Sequence, residues 1–322
     1  IHEIGHIYFP MIVNSDERQW TWMDEGINTF LEYQATKLWD PDFPASGEPR
    51  GIVDYMTSDN QVPLMTRYDT ALNQGNIGYR KPGTALVVLR ETVMGRELFD
   101  RAFQEYARRW QFKRATPYDF FRTMEESSGM DLDWFWRGWF YSTDHVDISV
   151  ENVIKARPET DADRPARRPS TGGNTNNDTP PVPLTVANNS GIETVIARNP
   201  GIDAYDDTAD HGYPLTEEQR RAIGQGARDG MTAMIAEADS FDSNVYRFTF
   251  NNVGGVVMPI ILKLTFEDGT SEVVRIPAEI WRFNNQEVSW QYVTDKTLVQ
   301  TEVDPNWETA DADRENNYFP RR

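Results

Sequence analysis

The sequence predicts an α+β chain of more than one domain, helical in its first half and closing in a small β-sandwich. Three observations predict this. Apolar residues return at helical spacing between Pro82 and Tyr141. From Val245 onward they alternate with period two, in short runs broken by turn residues. Between these regions Arg157 to Pro183 is rich in Pro, Asp, Arg, Thr, Asn and Gly and almost free of apolar residues. A length of 322 residues fits about two domains at ~150 residues each.

The elements follow in order. Phe30, Leu31 and Ala35 give an apolar face to a helix that begins near Glu25. Pro82 to Met94 reads as a helix opened by Pro and closed by Gly95. Glu97 to Trp110 is a second, with Leu98, Phe99, Ala102, Phe103 and Tyr106 on one side. Thr116 and Asp119 form a capping box ahead of Phe120 to Glu126. Asp131 to Tyr141 is short and dense in aromatics, a composition that belongs to a core.

Residues 145–155 alternate like a strand. Arg157 to Pro183 cannot bury enough surface to offset its ordering entropy and reads as a flexible linker. Leu215 to Ala238 regains helical character, with Thr216 as its cap and Gly224, Gly226 and Gly230 weakening it. Strands are then expected around Tyr246–Phe250, Val256–Phe266, Ser271–Ile276, Ala278–Phe283, Glu287–Val293 and Thr297–Glu302. Asp268-Gly269 supplies a hairpin turn. The resulting organisation is a helical region 1–144, a sandwich built from 145–155 and 245–318, and an insertion at 156–244.

The net charge of −19 argues against nucleic-acid binding, which wants a basic footprint. No apolar run approaches the ~18 to 20 residues of a membrane span. With no Cys, disulfides, thiolate metal sites and thiol catalysis are excluded.

The residues that carry chemistry lie at the start. His2, Glu3 and His6 stand in H-E-I-G-H, and Glu25 follows after eighteen residues in W-M-D-E-G. Two histidines four apart on a helix point the same way and can chelate one metal ion. Glu3 sits beside them, where a carboxylate can take a proton from water. A catalytic site needs a third ligand and one open position, and Glu25 is placed to be that ligand. The pentapeptide alone occurs by chance in unrelated proteins. Here it is joined by the spaced Glu25, by the scarcity of His (4 in the chain), and by a tyrosine in Y-R-K-P-G.

The joint pattern resembles the gluzincin metallopeptidases, specifically the M1 aminopeptidases, whose signature is H-E-x-x-H, eighteen residues, then E. The helices, the Y-x-K segment and the aromatic W-F-W-R-G-W-F block follow in that family's order through about residue 144. The resemblance implies the helical half of a thermolysin-like catalytic domain, a Zn2+ ion on His2, His6 and Glu25, and Glu3 as general base. It implies peptide substrates and a periplasmic or extracellular setting. It makes Tyr79 the oxyanion donor, with Tyr68 as fallback, because Pro82 stands where the family has Gly. Asp24 replaces the family's usual Asn and is expected to cap the helix or to support the ligands from behind; Thr29 and Glu32 lie on the face of Glu25 and are expected behind the histidines, with a solvent-exposed Glu32 as the other reading.

The family reads the substrate's amino terminus with a G-x-M-E-N segment, and this sequence holds none. The chain is therefore expected to be the C-terminal piece of a longer protein. Two other readings stand beside the aminopeptidase: a thermolysin-type endopeptidase, and a non-catalytic fragment whose β-domain serves contacts or stability.

Overall fold

The computed structural model describes residues 1–40, 42, 45–71, 73–156, 198, 225 and 243–321. Ile1–Ala156 and Ser243–Arg322 form one compact unit, and Arg157–Asp242 a second. The expected linker at 157–183 and helix near 215–238 lie outside the described residues, apart from Gln225.

The helical region opens with α1 (His2–Gly5) and β1 (Asn14–Ser15), followed by a 3-10 turn at Thr21–Met23 and α2 (Glu25–Trp39). A short α3 (Val53–Met56) precedes a continuous helical stretch from Asn76 to Met94. That stretch has α4 (Lys81–Val88) at its centre, flanked by π-helical turns at Asn76–Arg80 and Leu89–Met94. The sequence places the helix start at Pro82; the structure starts it a turn and a half earlier. Pro82 has no N–H for the Gly78 carbonyl, and the chain passes this point in the wider π geometry. Gly95 ends the stretch at φ 78°, a backbone conformation that only Gly adopts without cost.

Next comes α5 (Arg96–Trp110), which buries Phe99, Ala102 and Tyr106. β2 (Arg114–Ala115) pairs in parallel with β1. α6 (Pro117–Ser128) starts on the capping box: the Thr116 N–H donates to Asp119 Oδ2 at 2.8 Å. α7 (Asp133–Trp136) runs into a π-helical turn at Arg137–Tyr141, and Phe135, Trp136, Trp139 and Phe140 are buried there. The Trp136 and Phe140 rings meet Trp22, Phe120 and Phe121 at centroid distances of 4.4 to 6.0 Å, and Phe135 stacks on Trp139 at 5.8 Å. Such ring pairs add to the area that each aromatic buries.

The β-region has two antiparallel sheets. One joins β3 (Ile148–Ala156), β4 (Asn244–Asn252) and β7 (Glu287–Thr294) in the order β3-β4-β7. The other has the order β6-β5-β8-β9, from β5 (Ile260–Phe266), β6 (Ser271–Ile276), β8 (Leu298–Val303) and β9 (Tyr318–Phe319). Tyr246, Phe248 and Phe250 of β4 face inward with Leu262, Leu264 and Phe266 of β5. The expected strand at Ala278–Phe283 is instead a 3-10 turn, Ala278–Trp281. Pro277 caps it, and the Trp281 indole N–H donates to the Met258 carbonyl at 2.9 Å, which holds the segment against the sheet end. Residues 256–259, expected within a strand, lead into β5 without pairing in it.

The sequence separates the helices from the sandwich as domains; the structure joins them in one compact unit. Gly138 lies against Val256 so closely that a Cβ would stand 2.9 Å from its methyl. The Thr92 hydroxyl donates to the Glu308 carbonyl at 3.0 Å. The tail is tied in by buried acids: Asp311 Oδ2 accepts the Ile148 N–H at 2.9 Å, and the Asn316 amide donates to Asp147 at 2.7 Å. Among the described residues no helix is long and apolar enough to cross a membrane.

Candidate metal centre

Three pieces of chain build the site. The first is α1 with the turn after it, carrying His2 and His6. Gly5 between them lies against Asn28 with no room for a Cβ, and the Asn28 amide donates to the Phe9 carbonyl at 3.1 Å. The second is the start of α2. The 3-10 turn buries Thr21, Trp22 and Met23, and so sets Asp24 and Glu25 at the helix N-terminus. The third is the π-helical turn with Tyr79. It packs on α2 at Gly26, where a Cβ would stand 2.6 Å from Pro82 and 3.1 Å from the Gly78 carbonyl.

Glu25 Oε2 lies 3.0 Å from His2 Nε2 and 3.2 Å from His6 Nε2. One ligand atom from each of the three side chains falls within 4.8 Å of the others. Atoms held ~2.0 to 2.1 Å from one tetrahedral ion stand roughly 3.4 Å apart, so this donor set fits a single zinc with little movement. Two imidazoles and a carboxylate are also the right donors for it.

The outer faces of the imidazoles are engaged. His2 Nδ1 lies 3.0 Å from Glu32 Oε2. His6 Nδ1 meets two oxygens, the Phe9 carbonyl at 3.0 Å and Asp24 Oδ1 at 2.9 Å. A single N–H serves one acceptor, and the direction favours Phe9; Asp24 Oδ1 is left close by without a hydrogen bond. Burial pushes the Asp24 carboxyl up to about 7, helped by Glu17 and Glu25. For His2, burial lowers the pKa but the Glu25 and Glu32 carboxylates outweigh it and the net direction is upward. A proton therefore competes with a metal for His2.

Tyr79 stacks on His2 with ring centroids 5.8 Å apart. Burial, then the Glu25 carboxylate, raises its pKa, so its hydroxyl stays a donor at neutral pH. Tyr68 also feels Glu25 and lies behind the same turn, against Gly78. Glu3 is exposed and makes no hydrogen bond or ion pair among the described residues. Thr29 departs from the expectation that it touches the histidines. Its hydroxyl donates to the Glu25 carbonyl at 2.8 Å, one turn back in its own helix, and its methyl packs on Gly83. The Phe9 carbonyl behind His6 is a backbone group, and no side-chain pattern could have announced it.

The peptidase family M1 domain model matches residues 1–139. Membrane alanyl aminopeptidase of Manduca sexta is 24% identical over 169 residues, covering 46% of this chain and 17% of its own length. Probable aminopeptidase 1 of Sulfurisphaera tokodaii is 25% identical over 158 residues, 46% of this chain and 20% of its own. Aminopeptidase N of Streptomyces lividans is 26% identical over 181 residues, 51% of this chain and 20% of its own. The chain thus spans a fifth or less of the length of these relatives. The crystal structure of Legionella pneumophila aminopeptidase A aligns with 96% of this chain and 26% of its own at a TM-score of 0.49 and 12% identity. The matched stretch holds His2, Glu3, His6, Glu25 and Tyr79, and over residues 1–139 the chain is similar to the peptidase family M1 domain.

Proposed function

We propose that this chain carries the catalytic centre of a zinc aminopeptidase, which hydrolyses N-terminal residues from peptides. The observation that carries the reading is the convergence of His2 Nε2 and His6 Nε2 on Glu25 Oε2, with acceptors behind both imidazoles. Zinc on these ligands supplies Lewis acidity, which acidifies water and polarises a scissile carbonyl.

The chain's own groups do the rest. Glu32 and the Phe9 carbonyl fix the imidazoles with Nε2 inward. Glu3 takes a proton from the attacking water and delivers it to the leaving amine. Tyr79, held protonated, donates to the oxyanion of the tetrahedral intermediate. Asp24 lies behind His6, with Oδ1 2.9 Å from Nδ1.

The relatives that match are aminopeptidases by name, which favours exopeptidase over endopeptidase cleavage. The test is zinc analysis of the native protein together with paired substrates. Free-amino peptides should lose their first residue, and N-acetylated copies should resist. Internal cleavage of the acetylated copies would establish an endopeptidase instead. Zinc binding without any hydrolysis would leave a non-catalytic role.

A further inference from the structure

Lys81 is wholly buried, a rare place for a lysine. It is the first residue of α4, directly after the π-helical turn that carries Tyr79. Its Nζ donates to Gln61 Oε1 at 2.6 Å and lies 3.5 Å from the Ser142 carbonyl. Gln61 is buried too, and its amide donates to the Met56 and Thr143 carbonyls, each at 2.6 Å. One amine and one amide thus bind four pieces of chain: the start of α4, the end of α3, the loop at 61, and the residues that follow the aromatic turn at 137–141.

Burying an amine is costly unless its donors are met. Burial holds Lys81 down at about 7, with Asp144 opposing. A lysine depressed so far is mostly uncharged just above that pH, and a neutral amine has two donors for the two acceptors present. An apolar side chain would fill the volume without this burden. The polar clamp must therefore contribute something that packing does not, namely direction.

Residues 79 and 81 lie two apart on a helical turn, so they leave it on nearly opposite sides. Tyr79 points to His2 and Glu25; Lys81 points to Gln61. Rolling the turn by ~10° would carry the Tyr79 hydroxyl about 1.5 Å, given a reach of roughly 9 Å from the helix axis. A displacement of ~1 Å can lower a rate ~100-fold. We infer that Lys81 and Gln61 are positioning residues for Tyr79: their hydrogen bond fixes the roll of the π-helical turn and so the place of the tyrosine hydroxyl.

This rests on the role given to Tyr79 above, and the experiment separates the two. In the native zinc-loaded enzyme, kcat and KM are measured for Tyr79→Phe, Lys81→Met, Gln61→Leu and the combinations with Tyr79→Phe. Loss of kcat in Tyr79→Phe secures the tyrosine; its absence would overturn that reading whatever Lys81 does. With the tyrosine secured, Lys81→Met should lower kcat ~10- to 100-fold, with KM within about twofold and zinc content unchanged. Added to Tyr79→Phe it should cost little more, because the hydroxyl it places is already gone. Gln61→Leu should repeat that pattern. Full multiplication of the two losses, or normal kcat in Lys81→Met, would overturn the inference. So would failure of both Lys81→Met and Gln61→Leu to fold with zinc, since the pair would then be a folding element.

Discussion

Glu32 Oε2 lies 3.0 Å from His2 Nδ1, two helical turns beyond Glu25, whose Oε2 lies 3.0 Å from the other nitrogen of the same ring. One helix thus grips both edges of the imidazole. A carboxylate behind a ligand imidazole fixes its tautomer and raises its basicity. Glu32→Ala is expected to weaken zinc binding ~10- to 100-fold while the fold is kept. Competition with a chelator, read by metal analysis, measures it; unchanged affinity would remove Glu32 from the site.

Glu3 is exposed and free of partners among the described residues, so its replacement should leave the architecture alone. Glu3→Gln should retain one zinc and lose ~100- to 10,000-fold in kcat, the range of general-base contributions. Near-normal turnover in a zinc-loaded variant would assign the base elsewhere.

Tyr79→Phe removes one donor aimed at developing charge. The expected loss is ~100- to 1,000-fold in kcat with little change in KM, since the ground state carries no oxyanion. An effect confined to KM would shift attention to Tyr68, which lies behind the same turn.

Asp311 gives a pH prediction that is independent of catalysis. Burial pushes its carboxyl up to about 8, with the charges of Asp147 and Asp304 adding to the rise. The folded state keeps a proton there that the unfolded chain releases near pH ~4. Stability from this group is therefore complete below pH ~4 and is lost as pH rises through about 8. Asp311→Asn keeps an acceptor for the Ile148 N–H and never ionises. Its melting temperature should exceed the parent's at pH 8, and the gap should narrow towards pH 5. Parallel thermal scans across that interval decide it; a parent melting temperature that rises from pH 5 to pH 8 relative to the variant would refute the assignment.

Much of the fold was legible because periodicity survives wherever one face is buried. Tyr246, Phe248 and Phe250 alternate and turn inward; Phe99, Ala102 and Tyr106 return at helical spacing and do the same. Ala278–Phe283 misled because so short an apolar run does not distinguish strand from turn, and the Trp281 hydrogen bond to Met258 that decides it is long-range. The π-helical turns were hidden, since five or six residues are too few to separate their period from an α-helix. In the site, spacing told which side chains could face each other: His2 in one short helix with His6 just after its end, Glu25 and Glu32 on another. It could not tell that the Thr29 hydroxyl is taken by its own helix, or that Lys81 and Gln61 meet across twenty residues. Those depend on how segments are brought together.

The contact between Gly26 and Pro82 bears on how this protein can vary over time. Glu25 and Tyr79 are borne by segments that touch with less than a methyl group to spare. A side chain gained at position 26 pushes on the tyrosine turn, and a reshaped turn at 82 pushes on the helix that carries Glu25. Neither position can drift alone without disturbing the other's reactive neighbour. A smaller residue at 82 would relieve only part of this conflict, since the Gly78 carbonyl, 3.1 Å from a Cβ at 26, would still press on it.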